Sequence, residues 1–311
     1  MQAVCLHARG GPERLELEQA PTPTAGDGEV LVRVRAAAIT PGELSWESTW
    51  RDRDGKDRLP SIPSHEFCGE ITQAGADITH CAVGDIVYSL SDFWRNGAAA
   101  EYIAVNAEEV APKPASIDDV HAAAIPLSGL TALQALYDHA VMSPDQHVVI
   151  LGASGGVGTF AVQLAQLGQA HVGAVTTAQD VEYAAELGAN QVATYDDFDR
   201  MFKDVDVLVD LVGGELLARA WRMMRRGGII VSTVEQPAQE LCERHDVRGE
   251  FFVVKPNWHQ LTELAALVDD DQLEVFVAKV FPLSQTRDAY ELGLKGHIRG
   301  KIVLKVADAT A

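Results

Sequence analysis

Between Glu29 and Val105 apolar and polar positions alternate in short runs broken by Gly, Pro and Asp. EVLVRVRAAAIT, EFCGEITQAG, GDIVYSL and AEYIAV are rich in β-branched and aromatic residues. They predict strands of roughly five to eight residues joined by turns, the pattern of an all-β unit. The character changes at VHAAAIPLSGLTALQALYDHA, after which helix-period apolar stretches alternate with buried-strand runs: HVVILG, HVGAVTT, QVATY, DVLVDLV, GGIIVSTV and GEFFVVK. Strands separated by helices of this length predict right-handed βαβ units and a parallel, doubly wound sheet covered on both faces. After Asn257, a helix in QLTELAALVDD, a strand in VFVAKVFPL, a helix around DAYELGL and a strand in KIVLKV form a tail too short for a third domain. The expected organisation is therefore a β-rich unit of residues 1–119 and 259–311 with an α/β unit, 120–258, inserted into it.

The 311 residues include 45 acidic and 25 basic side chains, a formal charge of -20. That field repels polyanions, so nucleic acid and acidic membranes are not expected partners. A phosphate-bearing ligand would need a local nest of backbone N–H groups or a helix N-terminus. Cys5, Cys68, Cys81 and Cys242 form no C-x-x-C pair, the usage of a reduced compartment, and a cytoplasmic location is expected. The first residues meet glycine and charge too soon for a signal peptide. From Gln146 to Gln179 no Asp, Glu, Lys or Arg occurs, yet Gly155, Gly156 and Gly158 with Gln163, Gln166 and Gln169 rule the stretch out as a membrane span.

The strongest motif is VVILGASGGVGTFAVQLAQLG. An apolar strand ends at Gly152, a helix pattern starts near Val157, and Ala153-x-Gly155-x-x-Gly158 between them matches the dinucleotide fingerprint with alanine in the first slot. On this reading the first position allows a tight turn. Gly155 lets backbone approach a pyrophosphate, and Gly158 lets the helix pack closely on its strand. About twenty residues on, where an acidic side chain would accept from the ribose of NAD, the strand ends AVTTAQD. Thr176 and Thr177 are small and neutral, which would tolerate the extra phosphate of NADP, although Gln179 stands where a basic residue is wanted. Asp180, before VEYAAEL, reads as a helix N-cap, with ribose contact as its alternative.

Taken together, IPSHEFCGEI with VGDIVY, AAEYIAV, IPLSGLTALQAL, LGASGGVG, LGAN with VATY, LVDLVGG, RRGGIIVS and GHIRGKIVLKV resemble the medium-chain dehydrogenase/reductase superfamily, in its zinc-free quinone oxidoreductase and enone reductase branch. The resemblance runs nearly end to end. It implies a GroES-like catalytic domain, an inserted Rossmann domain, NADPH as hydride donor and a substrate cleft between the two. It places Thr131 near the nicotinamide ribose and Gly155, Gly156 and Val157 on the pyrophosphate. Thr177 and Tyr195 fall on the 2′-phosphate, and Val212 and Gly213 near the nicotinamide ribose. The branch usually has Asn-Pro-x-Asp in its first active-site loop, whereas this chain has Thr40-Pro41-Gly42-Glu43. Thr40, Glu43 and Trp46 are the residues expected to line the substrate site, although Thr40 also reads simply as a turn residue before Pro41. The resemblance also implies a homodimer joined through GEFFVVK, an apolar edge strand with no proline or inward charge to blunt it.

Zinc-bearing relatives combine a Cys from that loop, the His of a Gly-His-Glu motif and a later Cys. Here His65 and Glu66 are kept, Thr40 stands in the loop, and no cysteine lies between Cys81 and Cys242. The three-ligand set is incomplete and no metal is expected. Glu66 is expected to organise the cleft through hydrogen bonds, and Cys68 to be a small buried apolar residue. The leading reading is an NADPH-dependent reductase of quinones or α,β-unsaturated carbonyls. The alternatives are a cofactor-binding protein without turnover and a multienzyme-associated enoyl reductase, the latter lacking any linker or carrier module.

Overall fold

The computed structural model describes residues 1–307. The chain forms two compact units, Met1–Leu130 with the segment from Lys255 onward, and Thr131–Val254. Residues 120–130 and 255–258, which the sequence pattern assigns to the α/β unit, group with the β-rich one.

Seven strands come first: β1 (Gln2–Leu6), β2 (Leu15–Gln19), β3 (Glu29–Ile39), β4 (Glu66–Ala74), β5 (Ile86–Leu90), β6 (Tyr102–Asn106) and β7 (Val110–Pro112). The second unit holds β8 (His147–Leu151), β9 (His171–Thr176), β10 (Gln191–Thr194), β11 (Val205–Asp210), β12 (Met224–Ser232) and β13 (Arg248–Phe251). β14 (Val277–Pro282) and β15 (Lys301–Lys305) return to the first.

In the β-rich unit, β1 and β2 form a hairpin and the larger sheet runs β14-β15-β3-β4-β5-β7, with β6 also paired to β3. Its long central strand β3 has Val30, Val32 and Val34 fully buried, packed with Phe67, Ile71 and Val87. Alternation along β3 thus buries one complete face. β15 pairs antiparallel with β3, Ile302 opposite Ile39, which stitches the end of the chain to its beginning.

The second unit is a six-stranded parallel sheet in the order β10-β9-β8-β11-β12-β13. Renumbered from its first strand this is 3-2-1-4-5-6, the doubly wound order, with the chain reversing direction between β8 and β11. Ligands of such sheets bind outside the carboxyl ends of the strands at that reversal. The six apolar runs of the sequence supply its six strands. Among the described residues no helix is long and apolar enough to cross a membrane.

Candidate functional site

In the parallel-sheet unit the expected cofactor residues follow the carboxyl ends of four neighbouring strands: Ala153 to Gly158 after β8, Thr177 after β9, Tyr195 after β10, and Val212 with Gly213 after β11. The glycine loop is tied down by the N–H groups of Gly152 and Ala153, which both donate to the Val175 carbonyl at 3.0 Å. A helix then runs Gly156–Leu167 with Gly155 as its N-cap, so its first N–H groups point out of the loop.

The glycines divide the work differently from the sequence reading at one point. The left-handed turn residue is Gly152, φ +94°, and not the following position, where Ala153 is fully buried. A side chain on Gly158 would bring its Cβ to 2.2 Å from the Gly152 carbonyl, so this glycine is required by helix-on-strand packing. At Gly155 a Cβ would meet only the Gly152 carbonyl, at 3.5 Å, an ordinary contact. The fold does not need glycine there, whereas a backbone that must receive a pyrophosphate does. Val212 stands against the loop, its Cγ2 2.9 Å from where a Cβ on Gly152 would sit. Gly213 takes φ +74°, and the Asp210 carboxylate accepts from the N–H groups of Val212 (3.1 Å) and Gly213 (2.8 Å). Thr131 lies buried in the helix Pro126–Leu133 at the start of the unit.

Asp180 departs from its expected role. It does occupy the position before the helix Val181–Glu186, but its side chain makes no cap bond. The carboxylate turns back to the loop, accepting from Ser154 Oγ (3.1 Å) and Thr177 Oγ1 (2.8 Å), while Thr176 Oγ1 donates to Ser154 Oγ at 2.7 Å.

In the β-rich unit, Thr40 follows β3 and opens the 3-10 turn Pro41–Ser45. Glu43 does not line an open site as expected. It is 1% exposed. Oε1 accepts from Thr40 N–H (3.0 Å) and Tyr290 O–H (2.5 Å), and Oε2 from Ser64 N–H (2.9 Å). It braces the loop from inside. Burial pushes its carboxyl up to about 7, against those hydrogen bonds, and pushes the Tyr290 phenol well above its usual range. Trp46 is half-buried and meets Phe93 edge-on with centroids 5.1 Å apart, and Phe93 meets the His65 ring at 5.3 Å.

Lys301, which the sequence reading passes over as a strand residue, is the centre of this cluster. Its Nζ lies 2.5 Å from Glu66 Oε1 and donates to the Ile39 carbonyl (3.0 Å) and to Thr40 Oγ1 (3.3 Å). The other Glu66 oxygen accepts from Leu127 N–H at 2.9 Å. Glu66 is thus the hydrogen-bonding organiser expected, with a cation as its partner. The only sequence signal for Lys301 was a charged residue opening an otherwise apolar strand.

This donor set does not fit zinc. Glu66 is engaged by an ammonium, and Thr40 offers a hydroxyl where a thiolate would be needed. The buried Cys68 thiol, raised well above its ordinary value by burial and by Asp119, sits 3.7 Å from Asp119 Oδ1. His65, held at about 3 by burial and by Arg58, is neutral and 3.3 Å from Ser91 Oγ. Among the described residues, the metal-capable group of three is His7, Glu16 and Glu18 on the β1–β2 hairpin, which shares no residue with this cluster.

Residues 26–115 match the alcohol dehydrogenase GroES-like domain, and residues 187–304 match the zinc-binding dehydrogenase family. A quinone oxidoreductase from Coxiella burnetii superposes with a TM-score of 0.91 at 29% identity, covering 99% of each chain. This chain belongs to the medium-chain dehydrogenase/reductase superfamily, in its quinone oxidoreductase branch. Among other members of the superfamily, the Escherichia coli quinone oxidoreductase, solved in complex with NADPH, gives a TM-score of 0.87 at 25% identity over 98% of this chain and 100% of that one. A probable mitochondrial zinc-binding oxidoreductase of Arthroderma benhamiae is 29% identical over 94% of this chain and 92% of its own length. The zinc in two of these descriptions is not matched by the donors around Glu66.

Proposed function

We propose that this superfamily member is a zinc-independent oxidoreductase that reduces quinones or α,β-unsaturated carbonyls at the expense of a nicotinamide dinucleotide. The observation that carries the reading is Gly155, open at the start of a twelve-residue helix on the reversal point of the parallel sheet, where the fold itself has no use for glycine. When bound, the reduced nicotinamide supplies the hydride. The NADP form is the one that the resemblance implies. The Tyr195 hydroxyl favours it, whereas Asp180, which takes the Thr177 hydroxyl, works against it.

The chain's own contribution to the chemistry is modest, as this reaction allows. Alcohol oxidation needs a group that removes a hydroxyl proton, and neither a zinc set nor a tyrosine with lysine four residues on is available. Reduction of an enone or quinone instead builds charge on an oxygen, which a hydroxyl or backbone N–H can stabilise. Because Thr40 Oγ1 accepts from Lys301, its own proton is left to be donated, and the final proton can come from water. We also propose a homodimer and a cytoplasmic location. The first rests on the exposed sheet edge beyond β13, the second on four free cysteines.

Product analysis tests the reaction. Incubated with a reduced nicotinamide dinucleotide, a small enone and a chelator, the protein should yield the saturated ketone. An allylic alcohol, or ethanol oxidation that depends on added zinc, would overturn the reading. Gly155→Val should abolish turnover and weaken cofactor binding by about 2–3 kcal/mol without loss of fold, since the new Cβ meets nothing tight within the protein.

A further inference from the structure

The end of β9 holds a charge that the sequence pattern had assigned elsewhere. Thr177 and Tyr195 are the two residues expected to meet the 2′-phosphate of NADPH, and the Asp180 carboxylate is bonded to the first of them. It accepts from Thr177 Oγ1 at 2.8 Å. The Tyr195 phenol is raised above its ordinary value, by burial and then by the negative charge of Asp180. Asp180 also accepts from Ser154 within the glycine loop at 3.1 Å, so it is held in place from two strand ends and is only 6% exposed.

The cation that contacts Tyr195 does not offset it. Arg219 donates to the Tyr195 carbonyl (2.6 Å) and the Asp196 carbonyl (3.0 Å), and its guanidinium is paired with Asp199 at 2.7 Å. Tyr195 is itself followed by Asp196 and Asp197, the latter bonded to Thr194.

We infer that Asp180 makes this a site for NAD(H) and selects against NADP(H). The inference rests on the dinucleotide reading of the glycine loop. A phosphate monoester carries roughly −1.5 to −2 charges at neutral pH. Placed on Thr177 and Tyr195, it would face a fixed, poorly hydrated carboxylate, while the neighbouring Arg219 guanidinium is already engaged. The 2′-hydroxyl of NAD carries no charge and can donate, which is the arrangement that an acidic residue at the end of the second strand serves in dinucleotide-binding folds. Thr177 and Ser154 direct both their hydroxyls at the carboxylate, and they are spent as phosphate donors while it is ionised.

The test is direct titration of the whole chain with NADH and NADPH, followed by cofactor fluorescence or calorimetry, together with the fragments AMP and adenosine 2′,5′-bisphosphate. NADH should bind at least tenfold tighter than NADPH, and the fragments should follow the same order. Asp180→Asn should tighten NADPH at least tenfold and weaken NADH by several-fold, since the amide neither repels the phosphate nor accepts as well from the ribose hydroxyl. Asp180→Ser serves as a second variant should the amide disturb the loop, with far-ultraviolet circular dichroism and the thermal unfolding midpoint reporting the fold. If the parent binds NADPH as tightly as NADH, or better, the inference falls and the dinucleotide reading stands. If neither dinucleotide binds, both fall.

Discussion

At position 43 a carboxylate is surrounded by Thr40, Ser64 and Tyr290, with His65 Nε2 4.0 Å away and Lys301 acting on it from across the cluster. Its folded pKa of about 7 lies above the ordinary carboxylate value of 4.5. Between those two values the folded chain binds a proton that the unfolded chain has already released. Its stabilisation is therefore full below pH 4.5 and lost as pH rises through 7. Glu43→Gln, which cannot ionise, should lower unfolding free energy by about 1–3 kcal/mol at pH 5 through its mismatched hydrogen bonds, and by less at pH 8. Urea midpoints at the two pH values check this. A penalty that grows toward pH 8 would mean that ionised Glu43 is a net stabilising group. The residue also shows the limit of local reading. Thr-Pro-Gly-Glu was visible as a loop with chemistry in it, but the inward direction of Glu43 follows from a tyrosine 247 positions away.

Three strand ends meet at Lys301. β15 begins with it, β4 begins with Glu66, and β3 ends between them at Ile39, whose carbonyl accepts from the ammonium. Removing one partner from such a buried pair leaves an uncompensated charge, which costs about 3–5 kcal/mol. Lys301→Met should lose stability in that range, while the double variant Lys301→Met/Glu66→Gln should recover a large share of it. Additive losses in a denaturation double-mutant cycle would show that the two groups act independently. At this scale much was legible, because alternation and β-branching announce strands wherever they pack. The strand runs read from the sequence all coincide with observed strands. GEFFVVK is shorter than read: its ladder with β12 ends at Phe251, with a last bond from Phe252 N–H to the Ser232 carbonyl, because β12 itself ends at Ser232.

That unpaired continuation matters for the whole molecule. Phe251 (41%) and Val253 (57%) are exposed at the sheet edge while Phe252 and Val254, alternating with them, are buried. Extended backbone with alternate apolar residues facing outward is a template for pairing with a second copy. The expected solution mass is thus twice 33.5 kDa. Val253→Lys should shift the protein to monomer in light scattering, since a charge at the centre of the new pair is repelled by its own copy. A parent protein that is monomeric at tens of micromolar would overturn the proposal. The net charge of -20 acts against association at low salt, so the dimer should tighten as ionic strength rises.

The succession of strands along the chain, the existence of a β-rich and an α/β unit, the glycine loop and the absence of a cysteine between Cys81 and Cys242 were all determined by the sequence alone. Each depends on spacing along the chain or on which residue types are present, and spacing is what the backbone converts directly into strand, turn and helix. Three assignments belong to the tertiary structure. Gly152 rather than Ala153 makes the left-handed turn, Asp180 turns to Ser154 instead of capping its helix, and Lys301 reaches a threonine 261 positions earlier in the chain. In each case a short-range pattern permitted more than one outcome. Burial decided among them, because a polar group removed from water takes whichever partner the packed elements bring within reach.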